Sequence, residues 1–159
     1  MVIKAGDRIP SATFTMMTAE GPRPMTSEDV FKGRKVALFG VPGAFTPTCS
    51  AKHLPGFLAH IGDLEAKGVE LVACVSVNDV YVMAAWGKDQ KVGDKILMLA
   101  DGNGEFGRAL GLEVDFSAFG MGMRTKRFSL VADKGVVQIL NVDESGFKLT
   151  GAEHLLEQL

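Results

Sequence analysis

The 159-residue chain is poor in cysteine, holding two, and has one tryptophan and one tyrosine. Two cysteines are too few for a disulfide framework. They form no CxxC pair, which excludes a zinc knuckle and a dithiol redox motif. Any thiol chemistry must therefore rest on single cysteines. No charge of one sign dominates: 17 Lys and Arg against 19 Asp and Glu leave a net charge of −2, which points to no nucleic-acid and no membrane partner. No apolar run approaches the roughly 20 residues that span a bilayer. The opening "MVIKAGDRIPSATF" lacks the apolar core of a secretory signal and the arginine-rich look of a transit peptide, so a cytoplasmic protein is expected. Repeats, low-complexity stretches and linkers are also missing, and residues 1–159 read as one domain. What is present, 47% hydrophobic and 23% charged residues, suits a globular chain with a sizeable core.

Strand and helix patterns alternate. "KVALFGV" (35–41) and "VELVACVSVN" (69–78) are continuous apolar runs of the kind found in strands buried on both faces, and "KILMLAD" is a third. Asp79 is placed to cap a helix over "VYVMAAWGKDQ", and "GEFGRALGL" reads as a short helix. "SATFTMMTAEGPRPMTSEDVFKG" reads as a strand, a Gly/Pro turn and a short helix. "RFSLVADKGVVQILNV" is a hairpin turning at Asp133-Lys134-Gly135, and "AEHLLEQL" is a closing helix. Residues 49–67 have helical period, with Pro55-Gly56 expected to kink or interrupt the helix. The order predicts an α/β fold, with a mixed sheet and helices on both faces.

The least ordinary stretch is "VPGAFTPTCS" (41–50), between a buried strand and a helix. A thiol reacts as its thiolate. In the first turn of a helix, unpaired N–H groups and the positive end of the macrodipole face the sulfur. Cys49 holds that position. Pro47 fixes its own φ there, and Thr46 is placed to return its hydroxyl over the first turn as an N-cap. The same features also suit a small buried cysteine beside an ordinary loop, so geometry alone leaves both readings open.

"PGAFTPTC" resembles the active-site motif of the peroxiredoxins, Pro-x-x-x-Thr-x-x-Cys, here Pro42, Thr46 and Cys49. The flanking "FGVPGAFTPTCSAKHLPGF", with "CVSVND" and "KRFSLV" downstream, is similar to the peroxiredoxin 5 and plant type II group, and the likeness runs nearly end to end. The resemblance implies a thioredoxin-like fold, reduction of hydrogen peroxide and organic hydroperoxides, and no metal or organic cofactor. It implies that Cys49 attacks the peroxide and becomes a sulfenic acid. Thr46 would bond the thiolate and the peroxide through its hydroxyl, and Pro42 would shield the sulfenic acid. It implies that Arg127 stabilises the thiolate and orients the peroxide, with Arg124 as a possible assistant. Without the resemblance either arginine reads as a surface charge.

A sulfenic acid must be reduced. Some relatives in this group carry a resolving cysteine where this chain has Gly151. The remaining thiol, Cys74, matches a cysteine of the plant type II enzymes and is a candidate resolver, yet "LVACVSV" argues for a buried, inert packing residue. An external thiol is then expected, glutathione with glutaredoxin first and thioredoxin second. His53, four residues after Cys49, could make a Cys/His hydrolase pair or a metal-ligand pair; a partly exposed helix histidine is the reading preferred. A thioredoxin-fold redox sensor without catalysis is a further alternative. Phe116, Phe119, Met121 and Met123 lie in a glycine-bearing stretch without helical period. By resemblance it walls the site and contributes to a homodimer interface. Trp86 reads as a packing residue near the site.

Overall fold

The computed structural model describes residues 2–159. Nine strands and six helices follow in order: β1 (Thr13–Thr18), β2 (Gly21–Thr26), α1 (Ser27–Phe31), β3 (Lys35–Val41), α2 (Leu54–Ala59), α3 (Ile61–Ala66), β4 (Leu71–Ser76), α4 (Val80–Asp89), β5 (Leu97–Ala100), α5 (Glu105–Leu110), β6 (Glu113–Asp115), β7 (Met123–Thr125), β8 (Arg127–Asp133), β9 (Val136–Asp143) and α6 (Ala152–Gln158). Seven strands form one sheet in the order β2-β1-β5-β4-β3-β8-β9, while β6 and β7 pair separately. The strands β3, β4 and β5 are parallel, and the outer pairings are antiparallel. The sheet is mixed, as the alternation of patterns predicts.

Period-two alternation divides the core between the two faces. Ala37, Phe39 and Val41 of β3 join Val72 and Cys74 of β4 on one face, packed with Leu54, Phe57, Leu64, Met83 and Trp86 from α2, α3 and α4. Val36 and Leu38 join Ala73 and Val75 on the other, against Phe31 of α1 and Phe106 and Leu110 of α5. Cys49 belongs to the first cluster, and therefore lies on the same side of the sheet as Cys74.

Three local features depart from the sequence reading or sharpen it. The Gly/Pro segment is itself a strand: β2 runs antiparallel to β1 despite Pro22 and Pro24. It is the outermost strand, where a missing N–H breaks no inner ladder. Pro55 does not interrupt its helix. The chain opens into a π turn over Cys49–His53, closed by the Leu54 N–H donating to the Cys49 carbonyl, and Pro55 enters α2 at its first turn. The wider turn precedes the position where a proline has no proton for the carbonyl four residues back. The break comes later, at His60 (φ −109°, ψ 17°). The third is the β8–β9 hairpin, which turns at Lys134 (φ 51°) and Gly135 (φ 83°), the two left-handed residues a tight hairpin needs.

Gly40, near the end of β3, faces Phe128 on β8, and a Cβ there would collide with the edge of the Phe128 ring. Close approach of the two strands at this point sets Arg127, next in β8, beside the end of β3. Gly40→Ala is expected to lower unfolding free energy by about 3 kcal/mol, as overpacking does. Urea titration checks this, and a loss under about 0.5 kcal/mol, the size of an indifferent surface change, would contradict it.

Candidate active site

The strand β3 ends at Val41, and the chain turns through Pro42–Thr46 into a helix whose first residue is Pro47. Proline suits that position because its missing N–H would be unpaired anyway. Cys49 stands in the first turn, fully buried. Pro42 and Thr46 are half-buried and Phe45 is 51% exposed, so the turn is the part of the site that solvent touches. The Thr46 hydroxyl donates to the Gly43 carbonyl at 2.8 Å rather than capping the helix. Its single proton is thereby used. In this geometry Thr46 offers lone pairs, which corrects the expectation that its hydroxyl would reach the thiolate.

Antiparallel register brings the start of β8 to the end of β3. Arg127, 8% exposed, donates from Nη2 to Cys49 Sγ at 3.2 Å. Its Nη1 lies 2.9 Å from His53 Nδ1. A guanidinium only donates, so Nδ1 is the acceptor and the ring proton sits on Nε2, which donates to the Thr150 carbonyl at 2.9 Å. The guanidinium carbon lies 5.9 Å from the Phe147 ring centroid, within cation–π range. The thiol, the arginine and the histidine thus form one chain of contacts.

His53 is the principal correction to the sequence reading. It is fully buried, not partly exposed, with Phe39, Phe57 and Phe147 packed around its ring at 4.9, 5.7 and 5.2 Å. Burial in this apolar box, reinforced by the Arg127 charge, pushes its pKa from 6.5 down to about 3. Both ring nitrogens are engaged, so His53 is no base for the thiol, and the hydrolase reading fails. The i+4 spacing from Cys49 was the one signal for it. Its cover comes from the 144–150 loop, far away in sequence.

That loop is held by Asp143, whose carboxylate accepts from the N–H groups of Lys148, Leu149 and Thr150 and from the Thr150 hydroxyl. Burial alone would raise this carboxyl; the hydrogen bonds together outweigh it and hold it below the usual range. Trp86, also fully buried, donates from Nε1 to Ser50 Oγ at 3.0 Å, one residue from Cys49. Arg124 does not reach the sulfur: it donates to the backbone carbonyls of Met121, Val77 and Pro42. Cys74 is fully buried in β4, and burial, with Cys49 nearby, pushes its thiol pKa well up. Phe116–Phe119 and Met121–Met123 sit around the small β6–β7 pair, with Phe119 and Met123 exposed. Among the described residues, no three His, Cys, Asp or Glu side chains gather as metal ligands. No described helix is long and apolar enough to cross a membrane.

The redoxin family model matches residues 4–156. Peroxiredoxin-2E-2, chloroplastic, of Oryza sativa subsp. japonica is 50% identical over 99% of this chain and 72% of its own length. Peroxiredoxin-2C of the same organism is 44% identical over 99% of this chain and 98% of its own. The reduced Prx3 of Vibrio vulnificus in complex with H2O2 superposes with a TM-score of 0.95 at 47% identity, covering 99% of each chain. The chain belongs to the redoxin family, on the thioredoxin-like fold. Within that family it is a peroxiredoxin, a thiol peroxidase of the type II and peroxiredoxin 5-like group.

The buried neutral histidine makes stability pH-dependent with a definite sign. Below pH 6.5 the unfolded chain protonates its histidine, whereas the folded chain does not until about pH 3. Acid therefore favours the unfolded state. Between pH 6.5 and 4.5, before most carboxylates titrate, His53 should cost about 2 kcal/mol of stability. His53→Gln, neutral at every pH, should lose that part of the dependence. Urea titrations of both proteins across this range check it, and identical slopes would contradict it.

Proposed function

We propose that the Cys49 thiolate attacks the terminal oxygen of a hydroperoxide. The S–O bond forms as the O–O bond breaks, and the departing alkoxide or hydroxide takes a proton, leaving Cys49 as a sulfenic acid. The observation that carries this reading is the 3.2 Å contact from Arg127 to the sulfur. A fixed cation there stabilises the attacking thiolate and the negative charge growing on the leaving oxygen. In this reading Thr46 accepts a hydrogen bond from the peroxide, and Pro42 shields the oxidised sulfur from water. No resident metal or organic cofactor takes part.

An external thiol then condenses with the sulfenic acid, releasing water and leaving a mixed disulfide that a second thiol reduces. Glutathione with glutaredoxin is the reductant proposed, thioredoxin the alternative. The burial of Cys74 within β4 supports a packing role for it rather than resolution. The exposed Phe45, Tyr81, Phe119 and Met123 support a homodimer that covers them. Cytoplasmic residence belongs to this reading also, although two plant relatives are named as chloroplastic.

Rapid-mixing kinetics test the reading. Cys49→Ser should abolish peroxide consumption, and Arg127→Ala should slow it by about a hundredfold, the cost of removing one fixed donor from a developing anion. An Arg127→Ala variant as fast as the unsubstituted protein would sink the assignment. Cys74→Ser should retain turnover with glutathione and glutaredoxin, and a folded Cys74→Ser variant without it would show that Cys74 resolves.

A further inference from the structure

Two side chains outside the arginine–histidine chain hold the turn that carries Pro42 and Thr46. The Ala44 N–H donates to Asn78 Oδ1 at 3.0 Å, and the buried Ser76 hydroxyl donates to the same oxygen at 2.6 Å. A backbone N–H can only donate, so this atom is the amide oxygen and the orientation of the side chain follows. From the other side, Arg124 donates through Nη1 to the Pro42 carbonyl at 3.3 Å and the Val77 carbonyl at 3.0 Å, and through Nε to the Met121 carbonyl at 2.8 Å. One guanidinium thus ties the β3 turn, the β4–α4 connection and the 116–122 loop. Neither side chain bonds the sulfur.

What they hold needs holding. Phe45 has φ 64°, a left-handed conformation that a residue with a Cβ keeps only when its neighbours fix it. Gly43, between the two anchored residues, has little room. A Cβ there would lie 3.1 Å from Thr46 Cγ2, 3.2 Å from Met121 Cε and 3.3 Å from Arg124 Nη1. The Gly43 carbonyl in turn receives the Thr46 hydroxyl, so its position decides where the Thr46 lone pairs point.

We propose that Asn78 and Arg124 are positioning residues that clamp residues 42–46 and so aim the Thr46 oxygen at the incoming peroxide. The proposal rests on the peroxidase reading above and divides the site into two arms. Arg127 and His53 serve the sulfur; Asn78 and Arg124 serve the substrate side. Loss of the clamp should slow the reaction with peroxide and leave the reaction of Cys49 with an alkylating agent alone, because alkylation makes no use of Thr46.

The experiment uses Asn78→Ala, Asn78→Asp and Arg124→Lys in the full chain. Arg124→Lys keeps the charge, but one ammonium cannot reproduce the planar fork across three carbonyls. The second-order rate with hydrogen peroxide, followed by Trp86 fluorescence, should fall about tenfold in Asn78→Ala and in Arg124→Lys, the scale of one lost buried hydrogen bond. Alkylation of Cys49 by iodoacetamide, located by peptide mapping and measured against pH, should keep its rate and midpoint. Asn78→Asp, which keeps an acceptor oxygen for Ala44, should regain most of the peroxide rate. Unchanged peroxide rates in both variants would overturn the clamp while leaving the peroxidase reading intact. A parallel fall in alkylation and peroxide rates would reduce it to general support of the site. If Asn78→Ala does not fold, Arg124→Lys decides by the same two rates. An unsubstituted protein that consumes no peroxide through Cys49 would end both readings together.

Discussion

Everything around the site follows from one buried positive charge. Arg127 is almost out of water, and an unpaired charge there would be costly. Its contacts are the Cys49 sulfur, the His53 ring nitrogen and the Phe147 face, none of them a carboxylate. Asp143 is its partner in strand register, yet spends its oxygens on Lys148, Leu149 and Thr150. The sulfur is thus one of the two side-chain acceptors that meet this charge, at 3.2 Å, with the His53 ring nitrogen the other.

The fold supplies this meeting cheaply. Antiparallel pairing of β8 with β3 places Arg127 next to the turn after β3, and the close contact of Gly40 with Phe128 fixes how near the two strands come. The π turn carries Cys49 and His53 on one wide coil, so that both reach the same guanidinium. The 144–150 loop then closes over the histidine with Thr150 and Phe147. A neutral histidine at this place holds the arginine without competing for its charge. A carboxylate in the same position would take that charge away from the sulfur.

Much of this was legible in the residues, for identifiable reasons. Continuous apolar runs marked β3 and β4, Asp79 marked the start of α4, and Lys134-Gly135 marked the hairpin. The corner at Cys49 was visible because prolines, glycine and threonine crowd one strand-to-helix junction. Arg127 came from resemblance alone, since an arginine beginning a strand carries no local signal. What stayed hidden depended on contacts distant in sequence. His53 looks like a surface residue until Phe147 and Thr150 cover it. Asn78 looks like a turn residue until Ala44 donates to it, and the Thr46 hydroxyl is captured by a carbonyl no pattern announces. The strand β2 was masked by its prolines, which only an edge position tolerates.

The proposed division of labour between the thiols rests on the same geometry. Cys49 meets a cation at the start of a helix, whereas Cys74 lies within the parallel strands, where burial raises its pKa. In the proposed reading the first thiol reacts and the second is packing. Intact mass with peptide mapping, on reduced protein given sub-stoichiometric hydrogen peroxide and no added thiol, tests this most directly. The account predicts one added oxygen, located on Cys49. An unchanged mass, or a loss of two hydrogens mapped to a Cys49–Cys74 bridge, would contradict it.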